Sequence, residues 1–503
     1  MNPTEETPTH RGRIVMLVHR EIHNDSRVQK IAVSAAEAGW EVFLLGRAPR
    51  SSTRQLGGAT VHMLRPATGV ALPRHGLHRS WLRHPLAYPP NGIAGYRREW
   101  ISSWEASINE RRDVSRYAGG RPPAWLRAES LVHKVGRRWV RLRTNQLTAA
   151  RQPRRHHGPI DRGYAALWRA LAGSRSWRRL DPTLWEYELT FGPTIDRLKP
   201  DLIHAHDFRM LGVGARAAMR GRLKGRQVKL VWDAHEYLPG IRSWVDNVRW
   251  KQANMDHERE YARYADAVVT VSDTLAEMLR ERHRLPRTPH VILNAPSTAE
   301  ITADGTAPSL RAQCGLAADT PLVVYSGGAA EQRGLRTMVE AMPLLDDVHV
   351  AFVVNAPDSP FVTALREQAA ALGVAGRLHV HPFVPHDQVV PFLSSADIGV
   401  IPIHHYPNHE IALITKFFEY SQARLPIVVS DVKTMAATVR ESGQGEVFRA
   451  EDAADYARAV RAVLADPARY RAVYETDLLD SWTWEAQAKV LDSLYSQLLE
   501  PAS

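Results

Sequence analysis

The fold is decided by residues 13–45, RIVMLVHREIHNDSRVQKIAVSAAEAGWEVFLL. Ile14–Val18 is an apolar run of strand length and His19–Ser26 is polar. Val28, Ile31, Ala32, Ala35, Ala36 and Ala38 then recur at helical spacing. Gly39 stops that helix, and Glu41–Leu45 begins a second apolar run. Strand, helix and parallel strand form the right-handed crossover unit of doubly wound α/β folds, whose ligands bind beyond the carboxyl ends of the strands. The loop His19–Ser26 stands at such an end.

The alternation resumes farther along with strand-like Leu202–Ala205, a helix near Leu211–Met219, strand-like Val228–Trp232 and Ala267–Val271, and a helix capped by Ser272. Residues 297–319 read as a linker. A second series runs from Leu322–Tyr325 to Pro426–Val429, and a helical tail, Glu451–Leu499, breaks at Pro467. The expected architecture is α/β, with two doubly wound Rossmann-like domains facing a central cleft. The first spans 13–296 and is interrupted by an insertion at about 70–183; the second spans 320–480. Residues 481–503 are expected to form a helix that packs back on the first domain.

The chain has 503 residues, 44% of them hydrophobic and 24% charged, which excludes disordered, collagenous and coiled-coil classes. Cys314 is the only cysteine, so an internal disulfide framework and multi-cysteine metal sites are excluded. No apolar run reaches the roughly 18 residues of a membrane-spanning helix. The polar first thirteen residues do not read as a secretory signal, and a cytoplasmic location is the expectation.

The formal net charge of +11 is concentrated. Residues 97–180 carry 20 Lys/Arg against 6 Asp/Glu and six of the fourteen Trp, so the remainder is close to neutral. Tryptophan and arginine interleaved on helices have two readings. Either they lie in an anionic membrane interface on the inner face of the plasma membrane, or they pack as ordinary helical core with solvated arginines. No nucleic-acid module accompanies them, and no nucleic-acid partner is expected.

Two motifs carry chemistry. Ser326-Gly327-Gly328-Ala329-Ala330-Glu331-Gln332-Arg333-Gly334 follows a strand and precedes a helix, so its glycine backbone, the helix N-terminus and the Arg333 cation suit a phosphate-bearing ligand. In Asn408–Tyr420, a helix beginning near Leu413 puts Lys416 and Glu419 on one face. Such a pair has two readings: a nucleoside-diphosphate site, where the lysine neutralises the diphosphate and the carboxylate accepts both ribose hydroxyls, or an ordinary surface ion pair. His204, His206 and Asp207 imitate metal-ligand spacing, but no Asp-x-Asp pair is present and no metal is expected.

Taken in order, these motifs resemble the retaining glycosyltransferases of the GT-B fold, family 4. The first half contributes Asn24–Val28, Pro200–Asp207, Trp232-Asp233-Ala234-His235-Glu236 and Ala265–Ser272; the second contributes Arg333-Gly334, Lys416-Phe417-Phe418-Glu419-Tyr420 and Ile427–Asp431. The resemblance covers about residues 13–48 and 184–490. It implies a cytoplasmic enzyme that moves a sugar from a nucleoside diphosphate to a hydroxyl of a glycan, a lipid-linked acceptor or a small molecule, without cofactor or metal. It assigns the catalytic cleft histidine to His235 and the donor diphosphate to Gly327, Gly328, Arg333 and Lys416. The ribose falls to Glu419, the donor sugar to Glu410, Ile411 and Ala412, and the acceptor side to Asp25, Arg27, His206 and Asp207.

Two positions depart from the family pattern. The arginine that follows the second-domain glycine is Gly328 here, and the first glutamate of E-x7-E is Ile411, with Glu410 beside it. Lys416 and Glu410 are the residues expected to compensate. A sugar-nucleotide epimerase of the same fold and a non-catalytic sugar-nucleotide or glycan-binding subunit are the alternative functions.

Overall fold

A computed structural model describes residues 11–23, 25–67, 84–89, 92–151, 158–241, 247–301 and 309–500. Asn24 lies outside them. The chain divides into two compact units: Met1–Ala67 with Tyr164–Trp244 and Arg249–Ser503, and Thr68–Gly163 with Val245–Val248.

The larger unit contains both sheets. Its first sheet takes β1 (Arg13–Leu17), β2 (Glu41–Arg47), β3 (Ser52–Leu56), β4 (Ala59–Leu64), β5 (Leu202–His206), β6 (Lys229–Asp233), β7 (Ala267–Thr270) and β8 (His290–Val291) in the order β3-β4-β2-β1-β5-β6-β7-β8. Only β3 runs antiparallel to its neighbour. Met16 of β1 pairs with Leu44 on one side and His204 on the other, so the strand order reverses there and opens a crevice at the carboxyl ends. Strands of such a sheet are covered on both faces and read as continuous apolar runs, which is why Ile14–Leu17 is wholly buried. Val15 and Leu17 face a core with Trp177 and Phe191, whereas Ile14 and Met16 face one with Ile31 of helix α1 (Ser26–Glu37).

The second sheet comprises β9 (Leu322–Gly327), β10 (His349–Val354), β11 (Leu378–Pro382), β12 (Ile398–Ile401), β13 (Ile427–Ser430) and β14 (Gly445–Phe448). All its pairings are parallel, in the order β11-β10-β9-β12-β13-β14, with the reversal between β9 and β12. The linker stretch carries short helices, Thr298–Ile301 and Leu310–Gln313; residues 302–308 lie outside the described ones. The last described helix, Trp484–Leu499, lies against the first sheet. Trp484, Leu491 and Tyr495 join the core of Ile14 and Met16, and Trp40 Nε1 donates to Asp492 at 2.7 Å.

The basic segment divides between the two units. Trp177 is fully buried in the first core and donates its Nε1 proton to Glu260 at 2.6 Å, so residues 164–183 belong to the Rossmann-like half and the interruption ends earlier than the sequence suggests. The smaller unit is built on an antiparallel-packed helix pair, Ile93–Tyr117 and Ala124–Arg151. Their seam repeats every seven residues: Ala94, Ile101 and Ile108 on one helix, Leu126, His133, Val140 and Leu147 on the other.

Candidate functional site

The carboxyl ends of β1, β5 and β6 bring together side chains that are far apart in sequence. His19, at the start of the polar loop after β1, places Nδ1 3.1 Å from Asp207, while Arg209 donates to its Nε2 at 3.1 Å. That pair of contacts leaves the proton on Nδ1. Burial, Arg209 and Arg20 push the His19 pKa down to about 2, so the ring is neutral. Asp207 begins the helix after β5 (α2, Asp207–Leu223) with φ 70°, and its own carboxylate accepts the Phe208 amide at 2.6 Å. A non-glycine residue held there stores strain of the kind found at functional sites. Burial raises its pKa to about 6 against the pull of His235 and Arg209.

Beneath this surface lies a buried charged network. Arg27 donates to both oxygens of Asp233, at 3.0 and 3.1 Å, and to the Ile292 carbonyl at 2.7 Å, and His206 Nδ1 donates to Asp233 at 2.9 Å. Burial opposes ionisation of Asp233, but Arg27, His206 and His235 hold it well below the usual carboxylate range. Arg27 and His206, both expected on the acceptor side, are instead buried, and each binds Asp233. Asp25 accepts the Val28 amide at 3.3 Å as the cap of α1 and also pairs with Arg20 at 2.9 Å. Donor atoms of His204, His206 and Asp233 lie within 4.8 Å of one another. The Arg27 guanidinium already neutralises that carboxylate and repels a cation.

His235 stands 3.8 Å from Asp233 with its side chain 22% exposed. Burial disfavours its charge, yet Asp233, then Asp207 and Glu236, outweigh burial and push its pKa up to about 9. The ring is therefore an imidazolium at neutral pH, a hydrogen-bond donor rather than a base. The linked stabilisation is complete below the unfolded pKa near 6.5 and is lost as pH rises through about 9. We expect kcat to fall over the same upper range. His235→Ala should slow turnover about a hundredfold, abolish that limb and leave nucleotide affinity within about twofold; pH–rate profiles beside binding titrations check this.

The second half supplies a complementary surface. The helix after the Asn408 loop starts at Thr415 rather than Leu413 (α3, Thr415–Gln422), and no side chain caps its N-terminus. Lys416 Nζ donates to Glu419 Oε2 at 2.6 Å; Glu419 is 2% exposed, and its Oε1 has no hydrogen-bond partner. Tyr420, one residue on, receives the Ser326 amide at 2.7 Å, and the Tyr325 hydroxyl donates to the Gly328 carbonyl at 2.8 Å, so two phenols fix the glycine turn. Arg333 has no ion-pair partner among the described residues. A cavity of about 640 Å³ opens beside Lys416 and Ser326, walled by Asn355, Phe383 and His386 and, from the first half, by His23. Its size suits a small organic ligand.

The glycines of the turn differ in their demands. A Cβ on Gly334, whose φ is 74°, would lie 1.7 Å from the Pro402 carbonyl oxygen, whereas one on Gly328 would meet open space. Gly334→Ala should lower stability by roughly 2 kcal/mol or more. Gly328→Arg should fold like the parent and bind nucleoside diphosphates about tenfold more tightly; urea melts and calorimetric titration read the two effects.

The expected donor-sugar residues divide. The Ile411 side chain is buried in the first half's core with Val271 and Leu275, and its carbonyl accepts the Ser272 hydroxyl, so that side chain is withdrawn from any ligand. Ser272 also caps the following helix through the Leu275 amide at 3.2 Å, as its sequence position suggests. Glu410 does not take the missing glutamate's place as a free group. Its oxygens are held by His405 Nδ1 at 2.6 Å and the Lys433 amide at 2.8 Å, and His405 Nε2 reaches Asp431 at 3.0 Å. Ala412 is half-buried.

Comparison with known proteins bears on the family and the fold. Residues 136–300 match the family described as Glycosyltransferase Family 4, and residues 307–477 match Glycosyl transferases group 1. The D-inositol 3-phosphate glycosyltransferase of Geodermatophilus obscurus is 24% identical over 46% of this chain and 58% of its own length. The alpha-maltose-1-phosphate synthase of Mycolicibacterium smegmatis is 28% identical over 48% and 62%. The chain thus spans about three fifths of these curated relatives. Among solved structures, sucrose-phosphate synthase from Thermosynechococcus elongatus superposes with a TM-score of 0.60 at 16% identity, covering 97% of this chain and 99% of that one. Anabaena HepE in complex with UDP-glucose gives 0.54 at 13%, covering 97% and 100%. With both halves matched in order and solved glycosyltransferase structures superposing over nearly the whole chain, the chain belongs to the GT-B glycosyltransferases of family 4.

Proposed function

We propose that the protein transfers a sugar from a nucleoside diphosphate sugar to a hydroxyl acceptor, with retention of anomeric configuration and without a metal. The observation that carries this reading is Glu419. A buried carboxylate with one oxygen on Lys416 and the other unpaired is costly unless a ligand completes it. Vicinal ribose hydroxyls do so. The diphosphate then lies along the glycine turn toward Arg333, Lys416 and the uncapped N-terminus of α3, and the base enters the cavity against the exposed Phe383 ring.

The barrier to such a reaction is separation of an oxocarbenium-like sugar from its leaving group. The bond from C1 to the β-phosphate oxygen breaks while the acceptor oxygen bonds to C1 on the same face, and the acceptor proton passes to the departing phosphate oxygen. Negative charge builds on the diphosphate, where Arg333 and Lys416 stabilise it. His235, charged at neutral pH, donates to a sugar hydroxyl and holds the ring in place. Asp207, expected on the acceptor side, is itself buried with its oxygens on the Phe208 amide, His19 and Arg209, and holds the His19 ring at the crevice rather than meeting the acceptor. Water serves as a slow acceptor, which permits a test before the natural acceptor is known. Proton NMR of hydrolysis of an α-linked donor should show the α-sugar first; first release of the β-anomer would refute retention.

A further inference from the structure

We propose that the long second helix of the smaller unit, Ala124–Arg151, docks on an anionic phospholipid surface. Its buried seam of Leu126, His133, Val140 and Leu147 accounts for one face only. Beside the seam and turning outward from it, Trp125, Val132, Val135, Trp139 and Leu142 recur at spacings of seven, three, four and three, and each is between 44% and 67% exposed, although the Arg111 guanidinium of the first helix sits over the Trp125 ring at 5.6 Å. At 1.5 Å per residue this stripe runs about 26 Å. Large apolar side chains scattered singly over a surface need no explanation, but five in register along one helix face do.

Charge selects the occupant. Arg127, Lys134, Arg138 and Arg141 follow at spacings of seven, four and three along one flank of the stripe; all are exposed, and none has an ion-pair partner among the described residues. The remaining cations of the helix pair include structural ones: Arg111 pairs with Glu129 at 2.8 Å, and Arg137 with Glu105 at 3.2 Å. Residues 97–163 hold 16 Lys/Arg and 6 Asp/Glu. A second copy on this stripe would bring like charges together. An anionic bilayer instead takes the tryptophans and aliphatic side chains into its interfacial zone and the cations onto its phosphates.

The test is flotation of the full chain with vesicles of phosphatidylcholine alone and of phosphatidylcholine mixed with phosphatidylglycerol. Binding to the mixed vesicles is expected, at least about tenfold stronger than to the neutral ones, weakening as salt rises and accompanied by a blue shift of tryptophan emission. The pair Trp125→Ser and Trp139→Ser should reduce binding about tenfold or more. The pair Lys134→Glu and Arg138→Glu, whose side chains leave the seam untouched, should reduce it similarly at an unchanged melting temperature, and this pair decides the matter if the tryptophan variant fails to fold. Equal binding to neutral vesicles, no flotation with either, or undiminished flotation of the charge-reversed variant would overturn the proposal. Capture of nucleic acid without vesicle binding would assign the face to that partner instead.

Discussion

Replacing Arg27 with methionine is expected to destabilise the fold by about 3–5 kcal/mol, because it leaves the Asp233 carboxylate buried without its main countercharge. The loss is of support rather than of packing: three elements converge on this guanidinium, namely α1 through Arg27 itself, β6 through Asp233 and the end of β8 through the Ile292 carbonyl. A urea melt measures the loss. The double variant Arg27→Met with Asp233→Asn should recover a large part of it, since an amide pays far less to be buried than a lone charge. The sign of the pH dependence follows from the depressed Asp233 pKa. Its contribution is present above the unfolded carboxyl value near pH 4 and is lost as the pH falls through the lower folded value. In the Arg27 variant, acid unfolding should therefore begin at higher pH.

Glu419→Ala is expected to weaken nucleoside diphosphate binding by about 1.5–3 kcal/mol, roughly 10- to 150-fold, because charge-assisted hydrogen bonds to ribose disappear and Lys416 loses the oxygen that aims it. Stability should change little, since the variant removes a buried carboxylate that is only half satisfied in the free protein. That separation of affinity from stability distinguishes a ligand contact from a structural ion pair. Calorimetric titration beside a melt provides both readings. Affinity equal to the parent's would remove the ribose assignment.

Local pattern made the scaffold legible. The apolar runs of Ile14–Leu17 and Leu322–Tyr325, the polar loop after the first and the glycine turn after the second lie within a few residues of where the structure has them. The i,i+3 spacing of Lys416 and Glu419 also implies their contact, although the helix starts two residues later than its composition suggests. What local pattern cannot carry is the identity of a distant partner. Arg27 reads as a surface residue on a polar loop because the carboxylate that buries it, Asp233, is 206 residues away. The same holds for His206, whose partner is also Asp233, and for His19, whose partner Asp207 is 188 residues on.

Ile411 shows the converse. In the family's pattern that place belongs to a glutamate, so the residue reads as a donor contact; its apolar side chain instead completes the core of the first half. The basic segment makes the point again. Trp177 and Trp139 sit in similar Arg-rich surroundings, yet the first is buried against Trp185 with its Nε1 on Glu260 and the second is exposed. Composition is alike at the two positions; tertiary partners differ.

We propose a metal-independent nucleoside diphosphate sugar site built on Glu419, Lys416 and Arg333. It is tested most directly by thermal shift of the full chain with UDP-, GDP-, ADP- and dTDP-sugars in the presence of EDTA, run in parallel on Glu419→Ala. A ligand at a hundred times its Kd adds about 2.7 kcal/mol to the native state. A clear rise in Tm with one nucleotide class is expected in the parent, and a much smaller one in the variant. A folded parent that gives no rise with any of the four, or an equal rise in both proteins, would contradict that assignment.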